Sequence, residues 1–282
     1  MREFGIDSFW QRGLLLVCAL IILLLIGNDE LITRRTASSS SSSSSSSLHN
    51  KDSFSITNGL FDAAESGRML QRALHFALTG VALAEGNGMG HTGDDDEQTA
   101  KIFDSVLTYG IKAGTVCEIG FNVGHSASTI LSASFSGAFI GFDYGRPHVT
   151  PGSDSVSLGF NVLKRTLRHV SFELVIGDSM VTAPKYALEH PTTVCEIFHI
   201  DGSHDGPFPE ADFQSARKMA RSDGRTLVLF DDCGCQTEWC VKPAETFERA
   251  VKEGTITLLP NGASYLPAGG RRTCAGYMKR AP

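Results

Sequence analysis

Short apolar runs alternate with longer segments of helical periodicity from residue 53 to the end of the chain. The short runs are rich in β-branched and aromatic residues and predict strands at 115–119, 138–142, 172–176, 194–200 and 226–230. Helices are predicted at 60–84, 97–111, 126–133, 156–170, 183–190 and 209–221. The stretches TITLLP and CAGYMKR predict two final strands. This alternation predicts an α/β fold with a doubly wound, mainly parallel, seven-stranded sheet and helices on both faces.

Acidic residues stand at or just after the end of each internal strand. They are Glu118, Asp143, Asp178, Asp201 and the pair Asp231 and Asp232. The carboxyl ends of parallel strands meet at one edge of the sheet, and ligands bind in the crevice outside that edge. One acid at such a place is common in a solvated loop, whereas a whole series is better explained by a shared polar ligand site.

A glycine-rich turn follows the first predicted strand in the stretch EIGFNVGHSA. Gly120 and Gly124 permit a tight turn and a close approach of the backbone to a ligand. Their G-x-x-x-G spacing differs from the G-x-G-x-x-G fingerprint of dinucleotide sites. The turn therefore favours a different nucleoside-containing ligand at the end of this strand.

Five stretches, in this order, carry a resemblance to a known family: EIGFNVGHSA, GFDYG, VIGDSM, FHIDGSHDG and TLVLFDDCG. Over residues 97–280 the chain resembles class I S-adenosylmethionine-dependent methyltransferases, most closely the metal-dependent small-molecule O-methyltransferases of the macrocin and catechol type. The resemblance implies a Rossmann-like methyltransferase fold, S-adenosylmethionine as cofactor and a hydroxyl group as methyl acceptor. Relatives often have another glycine at the place of Asn122, and asparagine tolerates unusual backbone angles.

The resemblance also implies a set of cofactor-binding residues. Glu118 would face the ammonium end of the cofactor, and Asp143 would accept its ribose hydroxyls. Asp178 and Ser179 would meet the adenine edge. The complete implied set is Glu118, Gly120, Phe121, Asn122, Gly124, Ser126, Asp143, Asp178 and Ser179. His125 is expected to line or cover the cofactor.

A divalent metal site is predicted at the ends of the fourth and fifth strands. Asp201, Asp231 and Asp232 would supply the hard oxygen ligands that Mg²⁺ prefers. Asp201 and His204 are the predicted catalytic residues, with the metal lowering the pKa of the acceptor hydroxyl and His204 acting as general base. Many metal-dependent relatives have Asp-Asn rather than Asp-Asp at the fifth strand. Asp232 as a loop cap and His204 as a solvated loop residue are the alternatives.

The N-terminal region does not carry the pattern of a folded domain. Residues 14–26 form an uncharged apolar run of 13 residues, against roughly 20 for a comfortable helical span. No small-residue cleavage site follows closely, which favours an uncleaved anchor over a cleaved signal peptide. The ten serines at 38–47 predict a flexible tether.

The predicted organisation is a membrane anchor at 1–30, a Ser-rich linker at 31–52 and a methyltransferase domain at 53–282. The expected location is a single-pass membrane protein of the secretory pathway, in the Golgi or endoplasmic reticulum, with a lumenal catalytic domain. The charges that flank the apolar run are nearly balanced, so the membrane orientation stays open.

The net charge and the cysteines limit the kinds of partner and of metal site that the chain is expected to have. A net charge of −6 and the lack of a long Lys/Arg block argue against a nucleic-acid binder. Cys117 and Cys195 are predicted to be small buried hydrophobes within strands. In an oxidising lumen, disulfides are expected among Cys233, Cys235, Cys240 and Cys274, and their pairing cannot be read from the sequence. A zinc site is disfavoured because paired C-x-x-C spacing is missing.

The sequence thus predicts a membrane-tethered, metal-assisted O-methyltransferase that acts on a small-molecule or glycan hydroxyl. Phe208 and Trp239 are candidates for walling the acceptor site, and a homodimer stays open. Two alternatives are kept: a membrane-anchored glycosyltransferase that uses a nucleotide sugar, and a non-catalytic methyltransferase-like binding domain.

Overall fold

The computed structural model describes residues 52–84, 96–112, 114–145, 154–234, 237–238, 240–268 and 271–282. It divides into two compact units, residues 1–63 and residues 64–282. Within the first unit the description covers the beginning of one helix, 52–63. The predicted anchor at 14–26 and the serine tract at 38–47 lie outside the described residues. The second unit contains the sheet.

The elements follow one another along the chain in the predicted alternating order. The helices are α1 (Asp52–Ala84), α2 (Asp96–Tyr109), α3 (His125–Ser134), α4 (Ser155–Thr166), α5 (Ser179–Glu189), α6 (Phe208–Lys218) and α7 (Val241–Lys252), with a short 3₁₀ turn at Pro260–Gly262. The strands are β1 (Thr115–Ile119), β2 (Ala138–Asp143), β3 (Ser171–Ile176), β4 (Ile197–Ile200), β5 (Thr226–Phe230), β6 (Ile256–Leu258), β7 (Tyr265–Ala268) and β8 (Arg271–Met278).

The strands are hydrogen-bonded in the order β3-β2-β1-β4-β5-β8-β6, and β7 pairs with β8 beside this path. Strands β1 to β5 pair in parallel, whereas β8 runs antiparallel to β5, β6 and β7. This arrangement confirms the predicted doubly wound, mainly parallel fold with a seven-stranded path. Strands β1 and β4 are parallel neighbours, with β2 and β3 on one side of them and β5 on the other. The order in which strands are added to the sheet therefore reverses between β1 and β4, and this reversal creates the crevice where such folds bind ligands.

Two elements differ from the sequence prediction. Strand β7 was not predicted, because its four residues include a proline and are too few to show an alternating pattern. Helix α7 was not predicted either. It carries Pro243 in its first turn, where proline is tolerated, and buries Phe247 and Ala250.

Each face of the sheet is covered by its own apolar core. Strand β1 shows the division, since Val116 packs into one core and Cys117 and Ile119 into the other. Helices α1 to α4 cover the first face, with residues such as Leu78 and Ile102. Helices α5 to α7 cover the second. Burial of each large apolar side chain contributes on the order of 1.5–3 kcal/mol, and the two cores hold the strand ends in fixed positions.

Within the described ranges, two disulfides between described cysteines join segments in or next to neighbouring strands. Cys117 and Cys195 are joined across β1 and the segment before β4, so their prediction as small hydrophobes is corrected to a buried disulfide. Cys233, just after β5, is joined to Cys274 in β8, which supplies a pairing that the sequence left open. Cys235 lies outside the described residues.

The predicted membrane location needs correction. Among the helices of the described ranges, none combines the length and the apolar character that a membrane span requires. Helix α1 is 33 residues long, but polar and charged residues such as Glu65, Arg68 and Arg72 interrupt it. This finding contradicts the single-pass membrane prediction.

Candidate active site

A cavity of about 440 Å³ opens at the carboxyl ends of the parallel strands. It is lined by Ile119, Gly120, Asn122, Phe142, Asp143, Tyr144, Asp178, Ser179, Asp201, Gly202, Ser203, His204 and Phe208. These residues come from the loops after β1, β2, β3 and β4. Seven of the residues predicted for the site are among them: Gly120, Asn122, Asp143, Asp178, Ser179, Asp201 and His204.

The turn after β1 is shaped by residues with left-handed backbone angles. Gly120 has φ +91° and Gly124 has φ +94°, and Asn122 between them has φ +49°. A Cβ atom on Gly120 would overlap the carbonyl oxygen of Asp201, so this glycine lets the loops after β1 and β4 touch. Glycine is therefore required here by backbone packing as well as by backbone angle.

Asp143 fastens this turn to the end of β2. Its Oδ2 accepts the backbone N–H of Asn122 at 2.7 Å, and its Oδ1 accepts that of Gly145 at 2.7 Å. Asp178 plays a similar local role, since it caps α5 by accepting the backbone N–H of Met180 at 2.9 Å. Both acids remain on the wall of the cavity.

Glu118 lies beneath the cavity rather than on its wall. It is fully buried, and its Oε1 accepts the Ser126 hydroxyl at 2.5 Å and contacts His199 Nδ1 at 2.8 Å. Burial raises the pKa of the Glu118 carboxyl, although His199 and Ser126 oppose this. Burial lowers the pKa of His199, but the contact with Glu118 outweighs it and raises the pKa to about 9. The two side chains form a buried acid–base pair that supports the turn.

Three more residues of the implied set, Phe121, Gly124 and the buried Ser126, are also placed away from the cavity wall. Phe121 is buried in the core, where its ring packs against Phe139 at 5.7 Å and Phe160 at 6.0 Å between centroids. Gly124 forms the N-cap of α3. The neighbouring His125 packs its ring on His75 of α1 at 5.1 Å.

Four ionisable side chains meet at the ends of β4 and β5. The His204 ring lies between two carboxylates, with Nε2 at 3.4 Å from Asp201 Oδ1 and Nδ1 at 3.4 Å from Asp232 Oδ2. Asp201, His204 and Asp231 each offer a ligand atom, and these atoms lie within 4.8 Å of one another. The structure thus brings all three predicted metal ligands and the predicted base into one cluster, in which His204 is itself a candidate ligand.

Like charges crowd together in this cluster. Burial, followed by the charges of Asp201 and Asp232, raises the pKa of Asp231 to about 8. Burial alone would lower the pKa of His204, but hydrogen bonding to Asp201 and Asp232 raises it to about 10. Within the described ranges, neither Asp201 nor Asp231 forms an ion pair with lysine or arginine. Such a set of carboxylates would be relieved by a divalent cation.

The sequence reasoning missed two residues of this cluster. Gln98 of α2 is buried, and its Nε2 donates to Asp231 Oδ1 at 2.5 Å and to Thr273 Oγ1 at 3.1 Å. Thr273 also lies at 3.5 Å from Asp231 Oδ1. A polar residue near a helix start carries no local signal of a partner 133 positions away. Phe208 lines the cavity as predicted, and Trp239 lies outside the described residues.

Comparisons with known proteins agree with this architecture. Residues 117–233 match a family described as a methyltransferase domain. No curated protein sequence matches the chain. The match with the family and the fold confirms the resemblance to class I S-adenosylmethionine-dependent methyltransferases.

Solved structures share the fold at low sequence identity. An O-methyltransferase from Bacillus cereus in complex with SAH is 14% identical, with a TM-score of 0.52, over 73% of this chain and 90% of that one. A putative caffeoyl-CoA O-methyltransferase from Staphylococcus aureus is 12% identical, with a TM-score of 0.51, over 72% and 91%. The O-methyltransferase TomG from Streptomyces achromogenes, in complex with SAM, is 16% identical, with a TM-score of 0.50, over 72% and 89%.

Proposed function

We propose that this protein is an S-adenosylmethionine-dependent O-methyltransferase that uses a divalent cation to methylate a hydroxyl of a small-molecule or glycan acceptor. The observation that carries the proposal is the shared cavity. One wall is built from the glycine turn, Asp143 and Ser179, and another from Asp201 and His204. A cofactor on the first wall would meet an acceptor on the second, and such proximity is itself a large part of catalysis.

The first wall has the donors and acceptors that S-adenosylmethionine requires. Asp143 is anchored by two backbone N–H groups on the wall of the cavity, where its carboxylate would accept the ribose hydroxyls. Asp178 and Ser179, at the start of α5, would meet the adenine edge. Glu118 is fully buried and is not part of the cavity lining, so we assign it to the support of the turn through Ser126 and His199.

The second wall fits a divalent cation, because the charges of Asp201 and Asp232 help to raise the pKa of Asp231 and the three carboxylates have hard oxygen ligands to offer. We assign Asp201, Asp231 and Asp232 as magnesium ligands. When bound, the cation and cofactor would supply a hydroxyl of lowered pKa and an electrophilic methyl group.

His204 then has the task of holding the proton. Its two nitrogens face Asp201 and Asp232, and these carboxylates are what raise its pKa. Once their charge is neutralised, His204 loses that stabilisation as a cation and becomes able to accept the hydroxyl proton. A ligand role for His204, in the group with Asp201 and Asp231, is the competing assignment.

Calorimetric titration of the full chain tests the proposal. We expect S-adenosylmethionine to bind with Mg²⁺ and with chelator, and methyl transfer to a hydroxyl acceptor to occur only with metal. Binding of a nucleotide sugar in place of S-adenosylmethionine would overturn the proposal and favour a glycosyltransferase. Cofactor binding with no turnover over a panel of phenols, sugars and glycans would favour a binding domain.

His204→Gln separates its two roles. A base role predicts reduced turnover with unchanged affinity for Mg²⁺. A ligand role predicts that metal affinity falls together with turnover.

A further inference from the structure

Gln98 connects three elements at the base of the carboxylate cluster. It belongs to α2, whereas Asp231 follows β5 and Thr273 lies in β8. The Gln98 side chain is 4% exposed, and its Nε2 reaches both Asp231 Oδ1 and Thr273 Oγ1. These two hydrogen bonds fix the orientation of the Asp231 carboxylate, because any other rotamer of Gln98 would break both of them.

The contacts fall on one oxygen of Asp231. Gln98 Nε2 donates to Oδ1 at 2.5 Å, and Thr273 Oγ1 lies at 3.5 Å from the same atom. These contacts hold Oδ1 in place and restrict rotation of the Asp231 carboxylate, so that its ligand atom keeps its position relative to Asp201 and His204.

We propose that Gln98 is a positioning residue that holds the Asp231 carboxylate in a fixed orientation for a divalent cation. This inference rests on the proposed function, because it presumes a cation bound by Asp201 and Asp231. Partners of metal ligands that lie one contact behind them typically change metal affinity by 10–100-fold when they are removed. Gln98 is assigned the same role here.

A purely structural role for Gln98 is the competing explanation. In that case its loss would lower stability and would leave the affinity for the cation unchanged. The readout must therefore be metal affinity itself, measured on folded protein and independently of turnover.

The test compares two glutamine-to-methionine variants of the full chain. Gln98→Met keeps the length of the side chain and removes the amide donor. Gln214→Met is the matched control, since Gln214 also lies on a helix and donates its amide to a carboxylate, that of Glu210 at 2.8 Å, but outside the cavity wall. Mn²⁺ binding is followed by electron paramagnetic resonance, and S-adenosylmethionine binding by calorimetry.

We expect Gln98→Met to weaken Mn²⁺ binding 10–100-fold while the affinity for S-adenosylmethionine stays within about twofold, and Gln214→Met to change neither. Unchanged Mn²⁺ affinity in Gln98→Met, with normal binding in the wild type, would overturn the inference and leave the proposed function intact. Absence of Mn²⁺ binding in the wild type would instead overturn the metal part of the proposed function.

Thr273→Val and Thr273→Ser provide a second test if Gln98→Met fails to fold. Valine removes the hydroxyl that contacts both Gln98 and Asp231, and serine retains it. We expect valine to weaken Mn²⁺ binding and serine to restore it to near the wild-type value. Equal Mn²⁺ affinity in the two variants would contradict the proposed arrangement.

Discussion

The two ends of the parallel sheet treat their charges differently. At the amino end, Glu196 accepts the backbone N–H of Thr115 at 2.6 Å and pairs with Arg221, which also binds Asp223 at 2.6 Å. At the carboxyl end, Asp201, Asp231 and Asp232 face one another and His204. Acids at the first end are matched to donors, whereas acids at the second end are crowded together.

This difference indicates that the acids at the amino end contribute to stability and that those at the carboxyl end contribute to function. Paired acids at the amino end lower the free energy of the folded state, and the pKa of Asp223 is lowered by Arg221 as a result. Crowded acids at the carboxyl end raise the free energy of the folded state, and such arrangements persist where a ligand binds to them. Replacements at the two ends should therefore have opposite profiles in activity and stability.

Matched amide substitutions should separate the ends most strongly. Asp201→Asn removes a charge from the proposed metal site, and we expect turnover to fall about 10²–10³-fold, since metal polarisation supplies several kcal/mol. Its melting temperature should stay equal or rise, because one repelling carboxylate is gone. Glu196→Gln should lower the melting temperature slightly and leave turnover unchanged.

Methyl-transfer kinetics and thermal unfolding check this pair. A loss of turnover in Glu196→Gln comparable with that in Asp201→Asn would show that the amino end also takes part in catalysis. Full turnover in Asp201→Asn would remove Asp201 from the mechanism.

The sequence predicted the carboxyl end well at the level of the backbone. Acids such as Asp143 and Asp201 follow short apolar runs, and the position of a strand end is a local property of the chain. The contacts of Gln98 and Thr273 join distant parts of the chain and leave no local pattern. The depth of Glu118 was missed for a related reason, since a helix packed over its side of the sheet had to be placed first.

The cysteines make the same point. Cys117 and Cys195 have the hydrophobic surroundings of ordinary buried residues, and they lie 78 residues apart in the sequence, so no local pattern indicates their bond. The predicted roles of the site residues remain predictions, because the comparisons establish the fold and the class of domain rather than individual side chains.

Alanine substitutions at Gly120 in the site and at Gly80 in α1 should differ next most strongly in their effect on stability. In Gly120→Ala the new methyl group would overlap the Asp201 carbonyl oxygen and would hold φ +91°, so we expect a loss of about 3 kcal/mol or more in unfolding free energy. Gly80→Ala is the control, since no atom lies within 4 Å of its added Cβ and the site is helical. It should stabilise the protein by about 0.5–1 kcal/mol. Urea unfolding of both variants decides the matter, and a wild-type midpoint for Gly120→Ala would contradict the close approach of the two loops.

Removing each disulfide in turn should show a smaller difference in unfolding free energy between the two regions. The Cys117–Cys195 bond spans 78 residues and the Cys233–Cys274 bond spans 41, so each double alanine variant should lose about 2–4 kcal/mol, with the first losing about 0.6 kcal/mol more. Only the second should weaken Mn²⁺ binding, because Cys233 follows Asp232 and Cys274 follows Thr273. Equal Mn²⁺ affinity in the two variants, measured on folded protein, would show that the second bond does not brace the cluster.

The sign of the pH dependence of stability follows from the raised pKa values. The pKa of Asp231 rises from 3.8 to about 8, so the folded chain keeps a proton that the unfolded chain releases, and stability falls as pH rises through that window. The pKa of His204 rises from 6.5 to about 10, which also makes stability fall as pH rises. The windows overlap between about pH 6.5 and 8, where each proton contributes up to about 1.4 kcal/mol per pH unit.

Thermal unfolding in chelator between pH 5 and pH 9 measures how steeply stability changes with pH. The variants Asp231→Asn and Asp223→Asn show how much of that change comes from the carboxyl end and how much from the amino end of the sheet. Asp231→Asn should flatten the fall below pH 8, because its amide does not titrate. Asp223→Asn should leave it unchanged, since the lowered pKa of Asp223 places its contribution at acidic pH, where stability is lost as pH falls. Mg²⁺ should raise the melting temperature most at the alkaline end, because it competes with protons for the same carboxylates. An undiminished slope in Asp231→Asn that also does not respond to Mg²⁺ would mean that the proton uptake lies outside the carboxylate cluster, and the contrast between the two ends would lose its electrostatic basis.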